Sequence, residues 1–211
     1  MRRTGTLSAL FLLSLAAHSV SHAQARADHT RTRTDIALSV YGAFTPSTTG
    51  NSTLQSPSNS AGGLLELRQI RNPIIGYEVT YAYNRANQTY FAANCILPCP
   101  SSPPLPISAD AHEATADWLI SVHIANVRPF VLAGGGVLLD LPTSGQSGAA
   151  SNTKLVFVYG GGLDWGLVPH VGLRLQYRGN LYNAPALTTL YHSTGQLAKT
   201  AEPMIGAYIR F

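Results

Sequence analysis

The sequence predicts an all-β fold, an eight-stranded antiparallel up-and-down β-barrel that crosses a membrane. Segments of about ten residues alternate apolar and polar side chains, as membrane-spanning strands do. Charged residues make up 11% of the chain, whereas typical globular proteins have about 25%. After the first 25 residues no apolar stretch reaches the ~20 residues that a membrane-spanning helix needs. Strands therefore have to make the crossing.

Clusters of Gly, Pro, Asn and Ser divide the chain, because these residues favour turns. They predict strands at 35–45, 63–71, 74–84, 112–124, 128–140, 153–166, 170–181 and 199–211. The short connections fall at Asn72-Pro73, Ala125-Asn126-Val127 and Val168-Pro169, and the long ones at 46–62, 85–111, 141–152 and 182–198. Strict alternation of short turns and long loops is typical of transmembrane barrels. A soluble β-sandwich also has alternating strands, but it does not explain this alternation of loop length.

The N-terminal segment predicts export. Arg2 and Arg3 precede an apolar run over 7–17, and the small residues Ala23 and Ala25 offer cleavage sites. We therefore assign 1–25 to a cleaved signal peptide, 26–34 to a flexible lead-in and 35–211 to the barrel. Loss of Arg2 and Arg3 lowers the formal charge from +4 to +2. So small a positive charge argues against a nucleic-acid partner.

Every second residue of a strand lies on the same face, and one face of the predicted strands carries charged side chains that we expect to point into the barrel interior. They are Glu66, Arg68, Glu78, Glu113, Asp117, His123, Asp164, Arg174, Arg178, Glu202 and Arg210. An eight-stranded barrel is only wide enough for its own side chains, and unpaired buried charge is costly. Arginine can bind carboxylates in a bidentate manner, so we predict a polar plug. A narrow pore lined by the same residues is the alternative.

Aromatic and glycine residues fit a barrel wall. Aromatic rings are favoured at both membrane–water interfaces. We therefore expect Trp165, Phe211 and Phe130 near the periplasmic rim, and Phe44, Tyr83 and Tyr177 near the outer rim. The glycine runs 134–136 and 160–162 are expected on neighbouring strands. There glycine permits strong curvature and leaves room for large inward side chains.

Cys95 and Cys99 stand in a loop rich in proline and serine. In an oxidising compartment we expect them to form a local disulfide. A metal site is the alternative, but no further Cys or His lies close by in this loop.

The last strand carries an assembly motif. Outer-membrane barrels often end in a β-signal with a polar residue, a glycine, a hydrophobic residue and a terminal aromatic residue. Gly206, Ile209 and Phe211 match this pattern, whereas Met204 departs from it at the polar position. Pro203 cannot donate to a strand ladder, so we expect it at the start of the regular pairing or at a bulge.

By strand pattern and terminal motif, the chain resembles the small eight-stranded OmpA/OmpX-type outer-membrane β-barrel proteins. The resemblance implies a multi-pass protein of the bacterial outer membrane, in contact with outer-membrane lipids and assembled by the outer-membrane barrel assembly machinery. The group has no single activity to transfer.

Catalytic candidates are weak, and we expect no enzymatic activity and no cofactor. His192 and Ser193 are adjacent, so on an extended strand they point to opposite faces. Ser121 and His123 share a face with Asp117, but residues two apart on a strand are about 7 Å apart.

The sequence therefore predicts a non-enzymatic outer-membrane barrel that contributes to envelope integrity or to surface interaction through its outer loops. A small solute pore and an enzyme that modifies lipid A are the alternatives. The surface partner is not identified by the sequence.

Overall fold

The computed structural model describes residues 33–71, 74–93, 104–143 and 148–211. Ten strands lie in these ranges: β1 (Arg33–Ala43), β2 (Thr48–Gly50), β3 (Thr53–Pro57), β4 (Ser60–Ile70), β5 (Ile75–Ala92), β6 (Leu105–Ser121), β7 (Val127–Pro142), β8 (Asn152–Val168), β9 (Val171–Asn183) and β10 (Leu197–Arg210). Within these ranges no helix is long and apolar enough to cross a membrane. The predicted signal peptide and the cysteine pair Cys95 and Cys99 lie outside the described residues.

Eight of the strands close into an antiparallel barrel. From β4 to β10 each strand pairs with the next, and β1 pairs with both β4 and β10. This confirms the predicted eight-stranded up-and-down barrel. We call the end with the connections 71–74, 122–126 and 169–170 the turn end. The opposite end, with the long connections, is the loop end.

Strands β2 and β3 form a hairpin inside the first long connection, which the sequence had predicted as loop over 46–62. Its two turn residues, Asn51 and Ser52, have φ values of 49° and 57°. Positive φ at both central residues characterises the type I′ turn of tight hairpins. Strand β3 then pairs with the loop-end part of β5, from Thr53 opposite Ala92 to Pro57 opposite Gln88.

Strands β5 and β6 run farther than predicted. They stay paired from Arg85 opposite Asp110 to Tyr90 opposite Leu105, so most of the predicted loop 85–111 is a long hairpin. On this extension Tyr90 and Ile107 are buried, but most of the residues around them are polar. The alternation that marks the barrel strands is therefore weak here.

The two faces of the barrel wall differ sharply. On β1, Ile36, Leu38 and Val40 are 43%, 67% and 63% exposed, whereas Ala37 and Ser39 are 1% exposed. The same arrangement recurs on β5, β6 and β9, with apolar side chains outward and mostly polar side chains inward. On β7 and β8 apolar side chains also face inward, among them Leu132 and Val158. This is the reverse of a soluble protein, whose apolar face is buried.

Most of the predicted rim aromatics lie on the outer wall: Trp165, Phe211, Phe44, Tyr83 and Tyr177 are all exposed. The prediction for Phe130 is wrong, because this side chain is 4% exposed and lies in the lumen. Gly162 makes room for it, since a Cβ there would lie 2.7 Å from the Phe130 ring.

The terminal strand β10 pairs with β1 from Asp35 opposite Arg210 to Tyr41 opposite Met204. Pro203 immediately precedes Met204, where the pairing with β1 begins, but it lies within β10, opposite Tyr177 in an uninterrupted ladder with β9. The prediction that it stands at the start of the regular pairing therefore holds for the β1 side alone. At the other end the backbone N–H of Phe211 donates to the carbonyl of Thr34, at 2.9 Å. Thr34 itself belongs to β1, although the sequence analysis assigned it to the lead-in.

Replacement of Gly136 by alanine should lower the stability of the barrel. A Cβ at Gly136 would overlap the carbonyl of Ala114 and lie 2.7 Å from the Cα of Thr115. Both are backbone atoms, so the strands must separate. Overpacking of this kind costs about 1–3 kcal/mol, which would appear as a lower urea midpoint in detergent.

Gly63→Ala is the matched control, because the nearest atom to its Cβ is the Ser39 carbonyl oxygen at 4.0 Å. Equal midpoints for the two variants would contradict the close approach of β6 and β7.

Candidate functional site

The lumen contains two layers of charged side chains. The turn-end layer consists of Arg68, Arg174, Glu66, Glu78 and Asp164, and the loop-end layer consists of Arg178, Glu113, Asp117, Asn180 and Glu202. All ten are at most 5% exposed. These layers form the candidate functional site, because they lie across the interior through which any solute would have to pass.

The strand register creates the strongest pairs of the turn-end layer. Arg68 lies directly opposite Glu78 in the β4–β5 ladder, and its Nε and Nη2 both donate to Glu78 Oε2, at 2.8 and 2.6 Å. Arg174 lies directly opposite Asp164 in the β8–β9 ladder. Its Nε and Nη2 donate to the two oxygens of Asp164 at 2.7 and 3.1 Å. This bidentate geometry is the strong form of an arginine–carboxylate pair.

Two further contacts cross the lumen and join these pairs. Arg68 Nη1 donates to Asp164 Oδ2 at 3.2 Å, and Arg174 Nη1 donates to Glu66 Oε2 at 3.2 Å. Asp164 therefore accepts hydrogen bonds from both arginines. Side chains of β4, β5, β8 and β9 are held together across the barrel interior.

The ring of Phe130 covers this layer. The Cζ atom of Arg68 lies 4.1 Å from the ring centroid and that of Arg174 lies 5.7 Å from it. A guanidinium within about 6 Å of an aromatic centroid is attracted by the ring face. Phe130 thus fills the space beside the arginines and also favours their charge.

The loop-end layer has one arginine for three carboxylates. Arg178 Nη2 donates to Glu113 Oε1 at 3.0 Å and lies 4.0 Å from Asp117 Oδ2. The amide nitrogen of Asn180 donates to Glu113 at 2.8 Å and to Glu202 at 3.1 Å. It therefore bridges two carboxylates.

Nine of the eleven residues predicted to face the lumen lie in the two layers. Arg210 instead is half-buried at the turn end, where its Nη2 donates to the Tyr208 hydroxyl at 3.3 Å. His123 is exposed in the turn after β6. The strand ends at Ser121, so the alternation of inward and outward side chains does not continue as far as His123. These two residues do not join the layers.

The sequence analysis missed Asp35. It is 1% exposed, accepts from Arg33 Nε at 2.6 Å and lies 3.9 Å from Arg174. The signal was present, since Ile36, Leu38 and Val40 mark the outward face of β1 and place Asp35 on the inward one.

The catalytic candidates remain apart. Ser121 is buried whereas His123 is exposed, and His192 is exposed in the connection between β9 and β10. Within the part of the chain that the structure describes, no three His, Cys, Asp or Glu side chains form a preformed metal centre.

The connection between β9 and β10 covers the loop end. It meets β5 where the Tyr90 hydroxyl donates to the Pro185 carbonyl at 2.8 Å. It meets the β2–β3 hairpin where Asn51 donates to the Ser193 carbonyl, also at 2.8 Å. The Thr189 N–H donates to the Gly148 carbonyl of the β7–β8 connection at 2.8 Å. We call residues 184–196 the cap segment, because they touch all three other loop-end structures.

No family model and no curated protein matches the sequence, but solved structures match the fold. Neisserial surface protein A has 14% identity over 84% of this chain and 97% of that chain, with a TM-score of 0.59. OprG from Pseudomonas aeruginosa has 12% identity over 87% and 97%, with a TM-score of 0.58. The chain has the fold of the small eight-stranded outer-membrane barrels.

A third match is the attachment invasion locus protein of Yersinia pestis, solved with the heparin analogue sucrose octasulfate. It has 18% identity over 86% of this chain and 99% of that chain, with a TM-score of 0.53. At such identities the comparisons assign the fold alone.

Removal of the Arg174 side chain should strongly destabilise the barrel. Arg174→Ala leaves Asp164 and Glu66 buried with fewer donors, and loss of one partner of a buried ion pair typically costs about 3–5 kcal/mol. We expect a clearly lower midpoint in urea unfolding of the detergent-folded protein.

The matched control is Arg85→Ala, which removes an arginine whose side chain is 60% exposed and paired with Asp110. Exposed pairs contribute little, so this midpoint should stay close to that of the unaltered protein. Similar midpoints for both variants would show that the lumen pairs do not stabilise the fold.

Proposed function

We propose that the protein is a non-enzymatic outer-membrane β-barrel with a sealed lumen, which acts at the cell surface through its loop end. The observation that carries the proposal is the turn-end layer. Its arginines and carboxylates bind each other across the lumen and leave no exposed charge to line a channel. A barrel closed in this way has its loops, rather than its interior, available for function.

The apolar outer wall supports a membrane location. Leu38, Val40 and Leu155 are 67%, 63% and 81% exposed, which a bilayer accommodates and water does not. In the known outer-membrane barrels short turns face the periplasm and long loops face outward. The proposed orientation places the turn end in the periplasm, with the N-terminal segment directing export.

The loop end supports a surface role because its parts are fixed to one another. Tyr90, Ile107 and Leu187 are at most 1% exposed and pack together where the cap segment meets the β5–β6 hairpin. On the outside of this hairpin Arg85 donates to both oxygens of Asp110, at 2.6 and 3.0 Å. These hydrogen bonds hold the pKa of Asp110 below its usual range. Such a surface presents charges in a defined arrangement.

Epitope insertions test the orientation. A short epitope after Gly195, which lies exposed in the cap segment, should be detected by antibody on intact cells. The same epitope after Ala125, exposed in a turn-end connection, should be detected only after the cells are permeabilised. Detection of the Ala125 epitope on intact cells would overturn the proposed orientation.

Planar-bilayer recording separates the sealed barrel from a pore. The purified wild-type protein should give no stable single-channel steps, because the turn-end layer fills the lumen. Regular ohmic steps from the wild type would support the pore instead. Unchanged lipid A masses in cells with and without the protein would agree with a non-enzymatic role.

A further inference from the structure

We propose that the outer wall of the barrel has a binding site for one phosphorylated lipid, with Lys199 at the loop-end edge of the site. The acyl chain lies in an aromatic groove beside this lysine, and the lipid phosphate pairs with the ammonium group. The proposal rests on the membrane location proposed above. Under the proposed orientation the lipid is lipid A of the outer leaflet.

The groove crosses the outer wall from β8 to the end of β1 and has a volume of about 520 Å³. The ring of Phe44 borders it on one side, and the rings of Tyr159 and Tyr177 border it on the other. All three side chains are at least 41% exposed. Ala201 lies between these sides, because it is bridged to Phe44 and stands directly opposite Gly179. A small residue between aromatic rings leaves a depression that suits a hydrocarbon chain.

Two glycines keep the rings against the wall. A Cβ at Gly42 would lie 2.9 Å from the Phe44 ring, and a Cβ at Gly179 would overlap the Tyr159 ring. Both rings therefore lie over the backbone of the wall instead of extending away from it. The groove is thus formed before a ligand arrives, which lowers the cost of ordering its side chains on binding.

Lys199 is a cation without a partner among the described residues. The chain has two lysines. The side chain of Lys154 is 7% exposed and lies 3.7 Å from Asp140. Lys199, in contrast, is exposed and lines the groove, and no described carboxylate oxygen lies within the same 4.0 Å limit of its ammonium group. This charge is therefore available to an anion from outside the chain.

The height of Lys199 on the wall matches that of lipid headgroups. The outward residues of β10 on its turn-end side are all uncharged: Ala201, Pro203, Ile205, Ala207 and Ile209. From Lys199 to Ile209 the strand rises roughly 26 Å along the barrel axis, at about 3.4 Å per residue and a tilt of about 40°. The apolar band of outer-membrane barrels is about 25 Å tall. Lys199 therefore lies at the edge of this band, where lipid phosphates begin.

The two parts of the site together select a lipid. A lysine near a membrane surface strengthens the binding of an anionic headgroup about fivefold, and lysine binds phosphate as a point charge. A soluble anion could meet the lysine but would gain nothing from the groove. An uncharged chain could enter the groove but would gain nothing from the lysine.

Native mass spectrometry of the detergent-folded protein, titrated with lipid A, tests the site. The wild type should bind one lipid A more tightly than any further copies. Lys199→Gln should weaken this first step about fivefold, because it removes the charge and keeps most of the side-chain length. Ala201→Phe should also weaken it, because the added ring fills the groove and leaves Lys199 in place. Each variant is first shown to be folded by its altered migration in SDS before and after boiling.

Arg85→Gln is the matched control. It removes one exposed positive charge from the loop-end part of β5, outside the groove, so it changes the net charge as Lys199→Gln does. Its first binding step should equal that of the wild type. Dephosphorylated lipid A should bind the wild type about fivefold more weakly than lipid A does, and it should bind Lys199→Gln and the wild type equally. Inorganic phosphate should not displace lipid A.

Three results would overturn the proposal. Equal losses in Lys199→Gln and Arg85→Gln would show that net charge attracts the lipid to no defined place. Unchanged binding in Lys199→Gln or in Ala201→Phe would show that the phosphate or the chain lies elsewhere. Displacement by inorganic phosphate would show a site for soluble anions. None of these measurements depends on orientation, so failure of the epitope test would change only the leaflet that supplies the lipid.

Discussion

The interaction of Asp164 with Arg68 and Arg174 is the one on which the barrel interior depends. Asp164 accepts three hydrogen bonds from these arginines, and Arg174 donates a fourth to Glu66, with lengths between 2.7 and 3.2 Å. These bonds join side chains from opposite walls of the barrel. Most apolar residues of the barrel wall face outward, although Phe130, Leu132, Val156 and Val158 pack together inside the barrel. Attraction across the lumen therefore adds to this apolar packing, and it is strong because the charged side chains are at most 1% exposed.

The buried arginines require close packing of other groups around their guanidinium planes. Arginine is long and planar, so the lumen must provide flat surfaces and space next to each guanidinium. Phe130 supplies a flat surface, and glycine at 162 supplies the space that the Phe130 ring occupies. Gly134 has the same role beside Asp117, because a Cβ there would lie 2.5 Å from the Asp117 Cα. The glycine runs are thus a consequence of filling a narrow barrel with large side chains.

The sequence predicted the faces of the strands but not the partners across the lumen. Side chains alternate with a period of two, so Glu78, Asp117 and Arg174 could be placed inside from parity alone. Which arginine meets which carboxylate depends on the stagger of the strands around the barrel, a property of the whole sheet. Parity failed where regular strand ended, as at His123. It did hold on β7, where Phe130 shares the inward face with Leu132 and Asp140, so Phe130 was misplaced because it was assigned to the rim as an aromatic residue. The extension of β5 and β6 has few apolar residues, such as Tyr90 and Ile107, among many polar ones, and it was therefore read as loop.

The buried ion pairs of the interior stabilise the barrel, whereas the folded loop end carries the surface proposed for recognition. The turn-end layer holds β4, β5, β8 and β9 together without any contribution from residues of the cap segment. The cap segment in turn is fixed by hydrogen bonds to Tyr90, Asn51 and Gly148, which lie on three separate loop-end structures. Substitutions on its exposed face can therefore change what the surface contacts without disturbing the ion pairs below. A barrel built in this way tolerates changes on its outer surface without loss of the ion pairs that hold its wall together, as the proposed surface-interaction role requires.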